Sequence, residues 1–148
     1  MKHLELFAGI GGFRRAMDVL TKDHIMGFHC VGYSEIDPKA ETTYRVNYII
    51  DKDEIAMGDI VAFTSDKKNI KSLPKFDLLT GGFPCQTFSM MGNQTGFDED
   101  RGQMFFRIMD ILMVKKPKYV LLENVKNLWN HDKGRTFARI KSELRRYF

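Results

Sequence analysis

Cysteine is scarce: the 148 residues hold two, Cys30 and Cys85. Two thiols make neither a disulfide framework nor a zinc quartet, so a reduced, cytoplasmic setting is expected. No apolar run approaches the roughly 20 residues that span a bilayer, so no membrane role is expected. The start, Met1-Lys2-His3-Leu4-Glu5-Leu6-Phe7, lacks the apolar stretch and cleavage site of a secretory signal. There is no internal repeat and no low-complexity segment. The length is that of one domain, which buries roughly two thirds of the unfolded chain's surface. Histidine is also missing where a protease-type pair needs it. Downstream of Cys85 the nearest is His131. No metal site is expected.

What is present has a globular balance, 43% hydrophobic and 28% charged, with a net charge of +4. The charge is unevenly spread. Residues 131–148 carry Lys133, Arg135, Arg139, Lys141, Arg145 and Arg146 against Asp132 and Glu143, which leaves the rest neutral. Such a run is a solvated helix face or a phosphate-contact surface, and charge alone does not decide between them.

Short apolar runs alternate with helical spacing. Strands are expected at residues 3–7, 29–34, 55–58, 76–80 and 119–123. Helices are expected at 11–20, from Pro38 through Tyr48, at 66–73, 104–114 and 134–147. Asp37-Pro38 is a helix start, with aspartate as N-cap and proline at the first helical position. Alternation of this kind implies right-handed crossovers and a doubly wound, mostly parallel α/β sheet covered on both faces. Ligands of such sheets bind at the carboxyl ends of the strands.

Each of those ends carries glycine, polar or reactive residues. Phe7-Ala8-Gly9-Ile10-Gly11-Gly12 follows the first strand and opens a helix, and its glycines let the backbone turn tightly and approach a ligand. Glu35 ends the second strand, where a carboxylate can accept from both ribose hydroxyls. Asp59, before Ile60, can accept from an exocyclic amine or is simply a turn aspartate. Three successive strand ends in register point to an adenosine-type ligand. A dinucleotide and S-adenosylmethionine both stay open on this ground.

Gly81-Gly82-Phe83-Pro84-Cys85-Gln86 follows the fourth strand. A cysteine among loop formers at the ligand face is a nucleophile candidate. Its thiol needs activation, because at an ordinary pKa of about 8.5 only a few per cent is thiolate at neutral pH. Cys30 sits inside a strand pattern and reads as core. Glu123 ends the fifth strand, next to the fourth in simple doubly wound orders, so its carboxyl is expected to face the crevice of Cys85 and to hold or donate a proton. Asn124 is placed to orient it or its loop.

These residues resemble the cytosine-5 DNA methyltransferase family. Phe7-Ala8-Gly9-Ile10-Gly11-Gly12 looks like its cofactor motif, Gly82-Phe83-Pro84-Cys85-Gln86 like its nucleophile motif, and Glu123-Asn124-Val125 like its third signature. Arg101-Gly102 and Gly58-Asp59-Ile60 match secondary motifs, all in family order. The resemblance implies the Rossmann-like methyltransferase fold, with S-adenosylmethionine as cofactor and double-stranded DNA as substrate. Cys85 would be the nucleophile, and Glu123 would contact the cytosine ring nitrogen. Phe7, Ala8, Gly9, Ile10, Gly11 and Gly12 would line the cofactor site with Ile60. Glu35 would hold the ribose, Ile36 pack on the adenine, Asp59 bind its amine and Pro84 border the methionine part. Residues 86–101 would form a loop closing over DNA, with Gln86, Ser89 and Arg101 as DNA contacts.

The family's catalytic module is longer than this chain. The resemblance therefore implies a C-terminally incomplete catalytic domain over residues 1–148, without a target-recognition domain. The chain is then a fragment or one half of a split enzyme of bacterial or phage restriction-modification type. Its fifth strand would be an open edge for a complementary C-terminal subunit or a second copy. The alternatives are an inactive cofactor-binding remnant or partner subunit, a transfer-RNA cytosine-5 methyltransferase, and a nicotinamide-dependent oxidoreductase.

Overall fold

The computed structural model describes residues 1–84 and 103–147. Five parallel strands form one sheet in the order β3-β2-β1-β4-β5. They are β1 (Lys2–Leu6), β2 (His29–Tyr33), β3 (Ile55–Ala56), β4 (Leu78–Gly82) and β5 (Tyr119–Glu123). The helices are α1 (Gly12–Lys22), α2 (Pro38–Asn47), α3 (Ile60–Ser65), α4 (Lys67–Ser72), α5 (Gln103–Lys115) and α6 (Arg135–Tyr147). Two short 3-10 turns, Lys126–Trp129 and His131–Gly134, join β5 to α6. The expected doubly wound α/β class is the observed one, and among the described residues no helix is long and apolar enough to cross a membrane.

Two elements differ from the sequence reading. The third strand is only two residues long and is followed directly by a helix the periodicity missed. Gly58 at φ +60 turns the chain out of the strand, and the Asp59 carboxylate accepts from the Val61 N–H at 2.8 Å, capping α3. The fourth strand runs to Gly82 instead of ending at Thr80. Gly81 and Gly82 are ladder residues paired with Leu6 and Glu123, not turn residues. A Cβ on Gly81 would stand 3.4 Å from Leu6, so the glycine serves close packing.

Alternation along β1 sends its side chains to two chemically different faces. Leu4 and Leu6 join the apolar core with Ile60, Ile70, Phe105, Ile108 and residues of α6. His3 and Glu5, nearly or fully buried, sit instead in a polar layer beneath α1 and α2. There Tyr44 stacks on Tyr33 at 4.3 Å and donates to Glu5 at 3.2 Å. Arg14 of α1 donates to Glu54 at 2.5 Å, to Tyr44 at 3.1 Å and to the Ile49 carbonyl at 2.8 Å. Cys30 borders this layer. Burial first, and then the Glu54 charge, push its thiol up to about 12, as expected of an inert core cysteine.

The two buried groups of β1 titrate in opposite senses. Burial, reinforced by the Arg14 charge, pulls His3 down to about 4 from 6.5. Burial raises Glu5 to about 7 from 4.5, against hydrogen bonds from Arg14 and Tyr44. Between about pH 4.5 and 6.5 the folded protein therefore carries a proton on Glu5 and none on His3, and the unfolded chain the reverse. The proton counts match, so this pair leaves stability nearly flat across that window. Glu5→Gln exposes the histidine: unfolding free energy should climb by roughly 3 kcal/mol as pH rises from about 4 to 6.5. His3→Gln exposes the carboxyl: stability should fall by a similar amount between about pH 4.5 and 7. Urea titrations at stepped pH measure both, and two flat profiles would contradict this assignment.

Candidate functional site

The five strands are parallel, so their carboxyl ends lie along one rim of the sheet. After β1, residues 7–11 form a tight turn with Phe7 at φ +54, Gly9 at +56 and Gly11 at +92. Four of its backbone N–H groups are bonded. The Phe7 N–H donates to the Ser34 hydroxyl at 3.1 Å, and Ala8 to the Ser34 carbonyl at 2.8 Å. The Gly9 N–H donates to the Glu35 carboxylate at 2.6 Å, and Gly11 to the Ala8 carbonyl at 2.8 Å. Gly11 is the N-cap of α1 and supplies no side-chain cap. That function falls to buried Glu5, whose carboxyl accepts from the Arg14 N–H at 3.3 Å.

Glu35, Ile36 and Asp59 stand at the next strand ends. The second oxygen of Glu35 accepts from Ile36 and Asp37 N–H groups at 2.9 and 2.7 Å. Its carboxylate therefore ties the end of β2 to the glycine turn. Ile36 is 70% exposed and Ile10 is 61% exposed, two apolar side chains bare beside a carboxylate. Asp59 commits one oxygen to capping α3, which leaves the other for a ligand. Ile60 and Ala8 are buried, so their side chains face the interior and any contact they make comes through backbone. Gly9 and Gly12 have nothing within 4 Å of where a Cβ would sit. Glu35 already accepts from three backbone N–H groups, which leaves its carboxylate one acceptor position and not the two expected for both ribose hydroxyls. With bare backbone and an exposed aliphatic side chain beside it, the rim still fits an adenosine-type ligand.

The ends of β4 and β5 are brought together by register. Gly82 pairs with Glu123, and a Cβ on Gly82 would stand 3.1 Å from the Glu123 carboxylate. Glycine there keeps room for the acid. Asn124 donates its amide to the Phe83 carbonyl at 2.5 Å, while its own carbonyl accepts from the Val125 N–H at 2.9 Å. The residue after β5 thus holds the backbone that leads into Pro84, which is exposed and precedes Cys85 in the sequence. Cys85, Gln86, Ser89 and Arg101, with the expected DNA-closing loop, lie outside the described residues. A cavity of about 540 Å³ opens beside Glu123, between β5 and α6, lined by Phe83, Asn124, Trp129, Phe137 and Leu144.

The basic run of α6 is partly paired. Arg135 bonds Asp132, Arg146 bonds Glu143 at 3.0 Å, and Arg139 lies over the Phe106 ring. Sequence reasoning missed Glu5, Arg14, Tyr44 and Tyr48, which support the glycine turn from below. The one available signal was a buried-strand pattern broken by His3 and Glu5 at alternate positions. Among the described residues no group of three acidic, histidine or cysteine side chains is placed to hold a metal.

A family model described as C-5 cytosine-specific DNA methylase matches residues 1–147. The type II methyltransferase M.HgiCI of Herpetosiphon aurantiacus is 44% identical over 144 residues, 97% of this chain and 32% of that protein. The type II methyltransferase M.HhaI of Haemophilus parahaemolyticus is 40% identical, over 97% of this chain and 39% of its own. The chain spans about a third of the length of these curated relatives. A crystal structure of a Spodoptera frugiperda DNMT2 mutant superposes with a TM-score of 0.64 and 26% identity, covering 96% of this chain and 40% of that one.

Proposed function

The chain belongs to the C-5 cytosine-specific DNA methylase family, and from that premise we propose that it supplies the cofactor-binding and catalytic part of a DNA (cytosine-5)-methyltransferase. The observation that carries the reading is the pairing of Gly82 with Glu123, which sets a carboxyl beside the strand end leading to Cys85. Double-stranded DNA is the substrate, in a type II, bacterial or phage setting and a cytoplasmic compartment. S-adenosylmethionine is the cofactor. Glu35 binds its ribose, Ile36 lies on the adenine, Asp59 takes the amine, and the 7–12 turn with Pro84 borders the rest. When bound, it supplies an electrophilic methyl group to carbon-5 of cytosine.

The chain's own residues make carbon-5 reactive. The Cys85 thiolate adds to carbon-6, forming a carbon–sulfur bond and pushing an electron pair into the ring. Glu123 donates a proton or a strong hydrogen bond to the ring nitrogen where that charge collects. Asn124, anchored on the Phe83 carbonyl, holds the two strand ends at fixed separation. Loss of the carbon-5 proton to solvent water then reforms the carbon-5–carbon-6 double bond and expels Cys85 as the thiolate, while the ring-nitrogen proton returns to Glu123. A cytosine inside a duplex is out of reach, so it is flipped out at a cost of a few kcal/mol, with Gln86, Ser89 and Arg101 contacting DNA. The edge of β5, where Tyr119 and Leu121 are about half exposed, is where a complementary subunit or a second copy pairs.

The test is trapping. Duplex DNA carrying 5-fluorocytosine, incubated with the protein plus S-adenosylmethionine, should yield a covalent complex. The attachment should map to Cys85 by mass spectrometry. Methyl transfer to transfer RNA and not to duplex DNA would favour the RNA-modifying alternative.

A further inference from the structure

Gly11 carries an unusual load. Its φ of +92 is a left-handed conformation, and its carbonyl begins the hydrogen-bond ladder of α1 by accepting from the Arg15 N–H at 2.9 Å. The same carbonyl accepts a second bond from the Tyr48 hydroxyl at 2.6 Å. The Tyr48 ring lies where a Gly11 side chain would go: a Cβ there would come within 2.2 Å of Cε2. Tyr48 is the C-cap of α2, whose other end follows directly from Glu35 and Ile36. One helix therefore reaches the candidate ligand rim at two neighbouring strand ends, those of β1 and β2. Tyr48 is itself fixed from below, tilted on Tyr44 at 4.9 Å and covered by the Arg14 guanidinium at 5.2 Å.

We infer that Tyr48 is a positioning residue of the cofactor site, a latch from the end of α2 that holds the glycine turn in its ligand-accepting conformation. The inference rests on the cofactor reading above and adds a residue to it that touches no ligand. The other fastenings of the turn come from its own backbone, from Ser34 and Glu35 just after β2, and from Glu5 on β1. Among the described residues, Tyr48 alone ties the turn to the far end of a helix. Without its hydroxyl the turn keeps its covalent path but samples other conformations, and a ligand must then supply the ordering.

Tyr48→Phe removes one oxygen and keeps the ring against Gly11. Binding of S-adenosylhomocysteine to the full chain, read by calorimetry, should weaken by about five-fold, the size expected from one lost hydrogen bond. Amide hydrogen exchange at Gly9 and Gly12 should accelerate. Tyr147→Phe is the control, because its hydroxyl donates to the Pro117 carbonyl at 2.7 Å away from the turn. That variant should bind as the unaltered chain does. Equal binding by Tyr48→Phe and the unaltered chain overturns the latch and leaves the cofactor reading standing. Equal weakening in both variants overturns it as well. No binding by the unaltered chain overturns the cofactor reading and the latch with it.

Discussion

Cys85→Ser should abolish the covalent complex with 5-fluorocytosine DNA and lower methyl transfer by on the order of 10⁴-fold. Serine keeps the size but is far less acidic than a thiol, so the nucleophile that opens the reaction is lost. Glu123→Gln should be milder, on the order of 10²-fold, because the amide still reaches the ring nitrogen but supplies no proton. The two defects should not multiply in the double variant, since in the proposed mechanism Glu123 acts only on the ring that Cys85 has attacked. Cys30 is the internal control. It is buried in the polar layer with its thiol pushed up to about 12, so Cys30→Ala should leave the adduct intact. An adduct persisting in Cys85→Ser would remove the nucleophile from the account.

The largest effect on stability is expected at Arg14. This side chain is 10% exposed, and its guanidinium meets a Glu54 side chain with no exposure at all. Burial alone would lower its pKa, but the hydrogen bonds to Glu54 and Tyr44 outweigh that and shift it upward. The second oxygen of Glu54 has no hydrogen-bond partner among the described residues, so the carboxylate depends on Arg14 for compensation. Arg14→Met strands that charge in the interior and should cost about 3–5 kcal/mol. The melting temperature should fall by on the order of 10 °C. Pairing it with Glu54→Leu removes the stranded charge and should recover a large part of the loss, because apolar replacement of a whole buried pair is often tolerated. Urea unfolding of the single and double variants measures both. A single variant within about 1 kcal/mol of the parent would show that the pair carries little.

Most of the strand-end constellation was legible because it depends on local chemistry. Glycines after β1, an acid after β2 and the Pro-Cys-Gln run after β4 are visible in order along the chain. The turn after β1, Glu35 at β2 and Glu123 at β5 lie on one rim, as the alternation of strands and helices requires. What stayed illegible depends on contacts distant in sequence. Glu5 and Arg14 are nine residues apart, and Arg14 and Glu54 forty, and nothing local announces that they meet. Read alone, a charged residue in a strand looks like an exposed one. The short helix after Asp59 was missed because six residues give too few turns for a period to show. The glycines of β4 read as a stop because their packing role appears only when Leu6 and Glu123 are in place.

The central claim is spatial: the sulfur of Cys85 and the carboxyl of Glu123 face one crevice. Glu123→Cys puts a thiol at the second position, and a bifunctional thiol reagent with a span of a few ångströms reads the separation. Peptide mapping should find residues 85 and 123 joined within the monomer, with Cys30 unmodified. If a monofunctional reagent labels both thiols readily but the bifunctional one never joins them, the two groups face different spaces and the account fails.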